Sequence, residues 1–334
     1  MSSADSIHVC VEAPARLHLG FLDMHGGLGR LYGSIGLTID SLATRLRARR
    51  ASDFVARGPG ADRALEYARA FAEARELPGG VDIRIEQAIP DHVGLGSGTQ
   101  LSLAVGTALE RLYGSESSSR AIAHLLHRGA RSGIGIGAFE AGGFIIDAGR
   151  GDVGEVPPVA VRFAFPTQWR VLLLLDSRGK GLHGNQELAA FAQLTKFSEA
   201  SAGYLCRLVM MKVLPGLVER RLELVAEAIG EIQRVMGDHF APVQGGRFTS
   251  PAVSQALAWI TSQGYSGVGQ SSWGPTGFVL LPDESSAIAL ERGLKQRFGE
   301  LSPLKYLRVA ARNRGATLET IPAPVSLINK RQKK

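Results

Sequence analysis

The sequence predicts a mixed α and β fold, on three observations. Apolar and polar residues alternate through much of residues 7 to 50, as strands require. Helical periodicity dominates about residues 185 to 262. Strand-like segments then return at 276–282 and 304–310, around a helix near 284–298. With 334 residues, the chain can form one large domain or two modest ones that share an interface. A composition shift near residue 165 marks a division into 1–165 and 166–328, with a short basic, disordered tail at 329–334.

Within residues 7 to 50 the pattern predicts three strands. "IHVCVEAPARLHLGFLD" and "LATRLRARR" alternate, whereas "HGGLGRLYGSIGL" is too rich in glycine for a strand interior and predicts a hairpin or bulged turn. "ADRALEYARAFAEARELPGG" reads as a helix stopped by Pro78, Gly79 and Gly80. "VDIRIEQAI" is a strand with Val81, Ile83 and Ile85 on its apolar face. Pro90 ends it, "GLGSGT" turns the chain, and "QLSLAVGTALERLYG" begins a helix whose apolar face runs through Leu101, Ala104, Val105, Ala108, Leu109 and Leu112. Gly106 inside that helix predicts close packing against a neighbour. A second helix follows Ser117–Ser119, then a loop through Gly133, Gly135 and Gly137, then the short strand "GGFIIDAG". "WRVLLLLD" reads as a buried strand, and Val218, Leu222, Val225, Ile229, Ile232 and Met236 share one face of a later helix.

Composition narrows the function. The chain is 45% hydrophobic and 21% charged, an ordinary globular balance. Its net charge is +7, but Lys330, Arg331, Lys333 and Lys334 supply four of those charges, so the body is only mildly basic. Arg45, Arg47 and Arg49 alternate along a strand and read as one solvated face, with no basic stripe interleaved with aromatics to bind nucleic acid. Cys10 and Cys206 make no disulfide framework, "MSSADSIHV" is no signal peptide, and no apolar run reaches the ~18 residues of a membrane span. The expectation is a cytoplasmic enzyme with no nucleic-acid or membrane partner, and a homodimer by default.

The sharpest chemical signal is "IPDHVGLGSGTQ". A helix start leaves backbone N–H groups unpaired and carries positive potential, and Gly94, Gly96 and Gly98 remove the side chains that would hold a phosphate away. Ser97 and Thr99 can add hydroxyl donors, and Gln100 an amide. The competing reading is a tight strand-to-helix turn capped by Ser97 or Thr99. The segment lacks the Gly-Lys-Ser/Thr ending of a Walker A loop and the first-strand position of a Rossmann fingerprint.

Pro90, Gly94, Leu95, Gly96 and Ser97 resemble the phosphate-loop motif of the GHMP superfamily of small-molecule kinases. "APARLHLGFLD" at Ala13–Asp23 is similar to that family's N-terminal motif, and "GVGQSSWGPTGF" at Gly267–Phe278 to its C-terminal glycine-rich motif. The resemblance spans nearly the whole chain and implies a two-lobed α+β fold with the active site between the lobes. Two departures stand out. Gly98 occupies the place where the kinases usually carry a second serine, and counting back from Gly142 and Gly143 puts the kinase aspartate at Gly135, with no carboxylate until Glu140. A kinase needs a group that orients the acceptor hydroxyl and takes its proton, so this loss weighs against phosphoryl transfer.

"RSGIGIGAFEAGGFIIDAG", "GKGLHGNQE" and "GQSSWGPT" together resemble the β-ribofuranosylaminobenzene 5′-phosphate synthase branch of the superfamily. That resemblance implies condensation of phosphoribosyl pyrophosphate with an aryl carboxylic acid, 4-aminobenzoate or 4-hydroxybenzoate, early in methanopterin biosynthesis. Carbon dioxide and pyrophosphate leave and a C-riboside 5′-phosphate forms. The ring carbon bearing the carboxylate is itself the nucleophile. The chemistry therefore calls for stabilisation of pyrophosphate, a Mg²⁺ cofactor and alignment of two substrates, not for a protein nucleophile. An ATP-dependent GHMP kinase is the alternative.

Under this resemblance Gly94, Gly96, Ser97, Gly98, Thr99 and Gln100 would cradle a donor phosphate. Lys180 would neutralise phosphate charge, unless it is a solvated surface residue, and His183 and Glu140 are further catalytic candidates. Glu187 and Asp23 are the candidate Mg²⁺ ligands. Arg16 and His18 share one face of a strand; Arg16 would take a carboxylate or phosphate, or else form a structural ion pair. Arg131 could reach an anion, and Ser271, Ser272 and Trp273 fall in a glycine-flanked turn where Trp273 would stack on the aryl ring or serve as a core aromatic.

Overall fold

The alternating N-terminal segments form two long strands rather than three, β1 (Ile7–Asp23) and β2 (Tyr32–Ala51). The turn takes only the first part of the glycine-rich stretch, and Tyr32–Leu37 joins β2. In this computed structural model residues 7–152, 155–179, 181, 184–299 and 302–322 are described. Lys180, His183 and the basic tail at 329–334 lie outside the described residues. Next along the chain come β3 (Val55–Arg57), α1 (Ala61–Ala74), β4 (Gly80–Gln87), α2 (Ser97–Tyr113), α3 (Ser119–Leu125), α4 (Ile134–Glu140), β5 (Phe144–Asp147) and β6 (Val159–Phe163). The second half holds β7 (Arg170–Asp176), α5 (Gly184–Gln193), α6 (Glu199–Leu208), a π-helical turn at Val209–Val213 and α7 (Leu214–Val218). It continues through α8 (Leu222–Gln244), α9 (Pro251–Ser262), β8 (Val268–Gln270), β9 (Thr276–Leu281), α10 (Glu284–Phe298), β10 (Leu304–Ala310) and β11 (Thr317–Pro322).

Two sheets organise these elements into two lobes. The first runs β11-β1-β2-β4-β3, with β5 on β2 and β6 on β5; the second runs β10-β7-β9-β8. The chain's last strand thus returns to the first lobe, pairing Ile7 with Pro322, so residues 317–322 do not belong with the C-terminal lobe as the division at 165 expected.

Side-chain alternation decides the packing. Val9, Val11, Val81, Ile83 and Ile85 turn one sheet face onto α1 and α2, whose Phe71, Leu101, Val105 and Leu109 complete that core. Leu172 and Leu174 of β7 face α9 and α10, while Val171 and Leu173 face a core shared with Leu17, Leu19, Ile229 and Ile232. Each such fully buried Leu or Ile contributes about 1.5–3 kcal/mol. The shared core fastens β1 to α8 and so joins the lobes. Register shifts between Pro14 and Arg16 and between His18 and Gly20 interrupt the pairing of β1 with β2. Such irregularities bend a strand and re-aim its side chains, here on both flanks of Arg16 and His18.

Three local expectations change. Gly133, Gly135 and Gly137 sit at the cap and within α4, not in a loop, because their bare backbones pack closely on Asp147, Thr99 and Ile145. Helix α2 begins at Ser97, three residues before the start expected at Gln100. Val218 lies on α7 and is 66% exposed, so it is not part of the α8 face. The stretch Glu199–Val218 is also, by length and composition alone, apolar enough to cross a membrane, at 20 residues and mean hydropathy 1.3. Ala202, Leu205, Val209, Val213 and Leu217 pack into the core, while Tyr204, Met210 and Met211 face outward.

Candidate active site

The loop between β4 and α2 is shaped by two left-handed glycines, Gly94 (φ 85°) and Gly96 (φ 88°). A Cβ on Gly94 would run into the Ser271 carbonyl, and one on Gly96 would meet the Arg16 side chain at 3.3 Å. Gly96 is the N-cap of α2 and provides no capping side chain, and the first helical turn carries no acid. The competing reading, a turn capped by Ser97 or Thr99, is therefore not what forms, and the helix start keeps the positive potential that attracts an anion.

Arg16 lies against this loop, half-buried. Its Nη1 donates to the Gly94 carbonyl at 2.5 Å, and its backbone N–H donates to Leu95 at 3.1 Å. Burial pulls the guanidinium down to about 10, partly offset by Glu187, so it stays cationic at neutral pH. Ser271 Oγ donates to the same Gly94 carbonyl at 2.8 Å and accepts the His18 backbone N–H at 3.0 Å. Ser272 returns a backbone bond to the His18 carbonyl at 3.2 Å, and Thr276 Oγ1 donates to Val93 at 2.7 Å. The three segments singled out in the sequence thus meet at one corner. Ser271, fully buried and doubly bonded, holds that corner together instead of facing a ligand.

Gln100 also differs from expectation. It is fully buried on α2, and its amide donates to the Gly135 carbonyl at 2.7 Å, which locks α2 to α4. Gly135 faces the loop side as the resemblance implied, and a Cβ there would come within 2.9 Å of Thr99 Cγ2. Glu140, at the other end of α4, is exposed and turned toward Ser119 and Arg120 of α3; partial burial of its carboxyl raises its pKa. It is not brought to the phosphate loop, because a helix rather than a flexible loop carries it away.

Arg131 Nη1 bonds Glu187 Oε1 at 2.7 Å, and its guanidinium lies over Phe191 at 4.3 Å. Asp23 Oδ1 accepts the N–H groups of His25 and Gly26 at 2.8 and 2.9 Å, closing the turn that ends β1. Among the described residues no three His, Cys, Asp or Glu side chains converge as a metal site, so Asp23 and Glu187 do not form one by themselves.

Two participants were not singled out in the sequence. Arg128 lies beside Gly98, about where an added Cβ would touch it at 3.7 Å, and hydrogen-bonds Tyr67. Asp147 is buried and accepts N–H groups from Gly133 and Gly149, each at 2.9 Å, and from Ser34 at 3.1 Å, anchoring the start of α4. Burial raises its pKa against those bonds. Nothing in "LLHRGARSG" or "FIIDAG" separates either residue from an ordinary surface arginine or strand-end acid.

Beside the corner, His18, Phe21, Met236, Phe240, Ser272 and Trp273 line an aromatic cleft. Phe240 and Trp273 meet edge-on at 4.5 Å, and His18 meets Phe21 at 4.7 Å. Trp273 is 5% exposed, at once core and cleft wall. Burial, reinforced by Arg16, lowers the His18 imidazole to about 3, so it is neutral at pH 7.

Residues 62–143 match the GHMP kinases N terminal domain and 213–300 the GHMP kinases C terminal domain. A homoserine kinase from Cytophaga hutchinsonii superposes with a TM-score of 0.65, over 96% of this chain and 99% of that one, at 16% identity, which shows the shared fold. The beta-ribofuranosylphenol 5′-phosphate synthase of Archaeoglobus fulgidus is 31% identical over 92% of this chain and 99% of its own length. The enzyme of that name from Methanothermobacter thermautotrophicus is 30% identical over 93% and 98%. The chain belongs to this synthase family. As a member of the family it has the two-lobed GHMP fold, with Gly135 packed on Thr99 where the kinase pattern would place a carboxylate.

Proposed function

We propose that this protein joins phosphoribosyl pyrophosphate to 4-hydroxybenzoate, releasing carbon dioxide and pyrophosphate and forming β-ribofuranosylphenol 5′-phosphate. The observation that carries this reading is the nearly end-to-end match to synthases whose names specify a phenol product. The phenol in those names favours 4-hydroxybenzoate over 4-aminobenzoate. The packed Gly135–Thr99 contact weighs against the ATP-dependent kinase, which needs a carboxylate there.

The residues suit the steps. The backbone of Gly94–Thr99, with Arg16 and Arg128, offers N–H and cationic partners to the leaving pyrophosphate. As that group departs, the ring carbon carrying the carboxylate attacks the anomeric carbon, pushed by the para oxygen. The carbon–carboxylate bond then breaks, its electron pair restores the aromatic ring, and carbon dioxide leaves. The aromatic cleft beside the corner offers apolar walls for the ring. A Mg²⁺ ion, when bound, would neutralise charge on the pyrophosphate. The donor set fits an ion held mostly by substrate oxygens, with Glu187 the described carboxylate next to Arg16. A cytoplasmic setting belongs to the same proposal and accords with two free cysteines, Cys10 and Cys206.

Carboxyl-labelled 4-hydroxybenzoate, phosphoribosyl pyrophosphate and Mg²⁺ supplied to the purified protein should give labelled carbon dioxide and pyrophosphate in equal amounts. Phosphorylation of an alcohol from ATP, with no carbon dioxide from either aryl acid, would replace this reading with the kinase.

A further inference from the structure

We propose that His18 is a catalytic residue that holds the para-hydroxyl of the aromatic acid, acting as a neutral hydrogen-bond acceptor; this rests on the reaction proposed above. The side chain is 5% exposed and lines the aromatic cleft, and its Nε2 is buried with no partner among the described residues. The amides around it are already committed. Gln233 donates to the Leu19 carbonyl and accepts the Gln270 N–H, both at 2.7 Å. Gln270 Oε1 takes the N–H and hydroxyl of Thr249 at 2.7 and 2.8 Å. The His18 Nε2 is enclosed and without a hydrogen-bond partner among the described residues, so the neutral ring protonated at Nδ1 presents a free lone pair there.

A neutral nitrogen lone pair repels a carboxylate or phosphate and attracts an O–H or N–H donor, so His18 does not suit the phosphate contact the sequence left open to it. The aromatic walls of Phe21, Phe240 and Trp273, the last two meeting edge-on, suit a flat ring. A phenol offers both features in one group. As the ring attacks the anomeric carbon, positive charge grows on the para oxygen, whose proton then binds the acceptor more tightly than in the ground state. When the carboxylate bond breaks, its electrons return to the ring and the phenol is restored. The proton stays on oxygen throughout, and His18 ends as it began.

The test starts with equilibrium binding of 4-hydroxybenzoate, benzoate and 4-methoxybenzoate to the intact protein, so turnover is not required. The wild type should prefer 4-hydroxybenzoate roughly tenfold over the two probes that lack an O–H, the scale of one buried hydrogen bond. His18→Phe should erase that preference while leaving benzoate and phosphoribosyl pyrophosphate affinity in place, and His18→Gln should restore part of it. In turnover, His18→Phe should lose on the order of 100-fold in kcat, more than KM rises. Equal binding of 4-hydroxybenzoate and 4-methoxybenzoate by the wild type, or a preference that survives in His18→Phe, overturns the proposal without any reliance on variant folding in the first case. Carbon dioxide release with an unchanged preference would sink the role of His18 alone, whereas absence of release would sink the reaction itself.

Discussion

Arg16 is a half-buried cation whose enclosed Nε finds no partner among the described residues, a costly arrangement that an arriving anion would relieve. Replacing it with Met should therefore weaken phosphoribosyl pyrophosphate by roughly 30–100-fold, the worth of 2–3 kcal/mol in charge-assisted bonds. Calorimetric titration would show this; unchanged affinity would remove Arg16 from the site. His18 carries a second consequence. Unfolded, it binds a proton below about pH 6.5, whereas folded it does so only below about 3. Over that window the unfolded state holds the extra proton, so stability falls as pH falls, by up to ~1.4 kcal/mol per pH unit. His18→Phe should flatten this slope in urea melts taken at successive pH values. Arg16 and His18 were legible because alternate residues on a strand share a face. The fates of Gln100 and Ser271 were not, because a sequence shows a donor but not the carbonyl that claims it. Arg128 reads in the sequence as any other arginine; only the fold brings it to Gly98.

The contact between α2 and α4 sets what the site can become. Because Gly135 packs on Thr99, Gly135→Asp should not create kinase activity by itself. It should destabilise the protein by about 1–3 kcal/mol through overpacking, and Thr99→Ala should recover part of that loss. Chemical denaturation of the two single variants and the double variant measures it; additive effects would mean the two positions do not touch. Helix α2 was readable from its apolar face, with Leu101, Val105, Leu109 and Leu112 all buried. Its start was not, since Ser97–Thr99 carry no apolar signal. Helix α4 was missed because glycine is a poor helix former, and tertiary packing against β5 and α2 overrides that propensity.

Two lobes were legible from the strand, helix and strand blocks, but the strand order was not. A period-two pattern says that a strand is half-buried and nothing about which edge receives it. Hence β11, whose 6 residues are the last of the described chain, joins β1 in the first sheet. Ending the chain before Thr317 should expose the β1 edge and lower the melting temperature of the whole protein, together with substrate affinity, because β1 also carries Arg16 and His18. Scanning calorimetry would detect this; an unshifted transition would show β11 to be dispensable. The Gly94 carbonyl has a consequence in time as well as in space. Its clamp, Ser271, is made 177 residues after it. A chain emerging from the ribosome therefore completes its anion loop early yet cannot set it in place until most of its length has been synthesised. Truncated products of interrupted translation would lack this clamp.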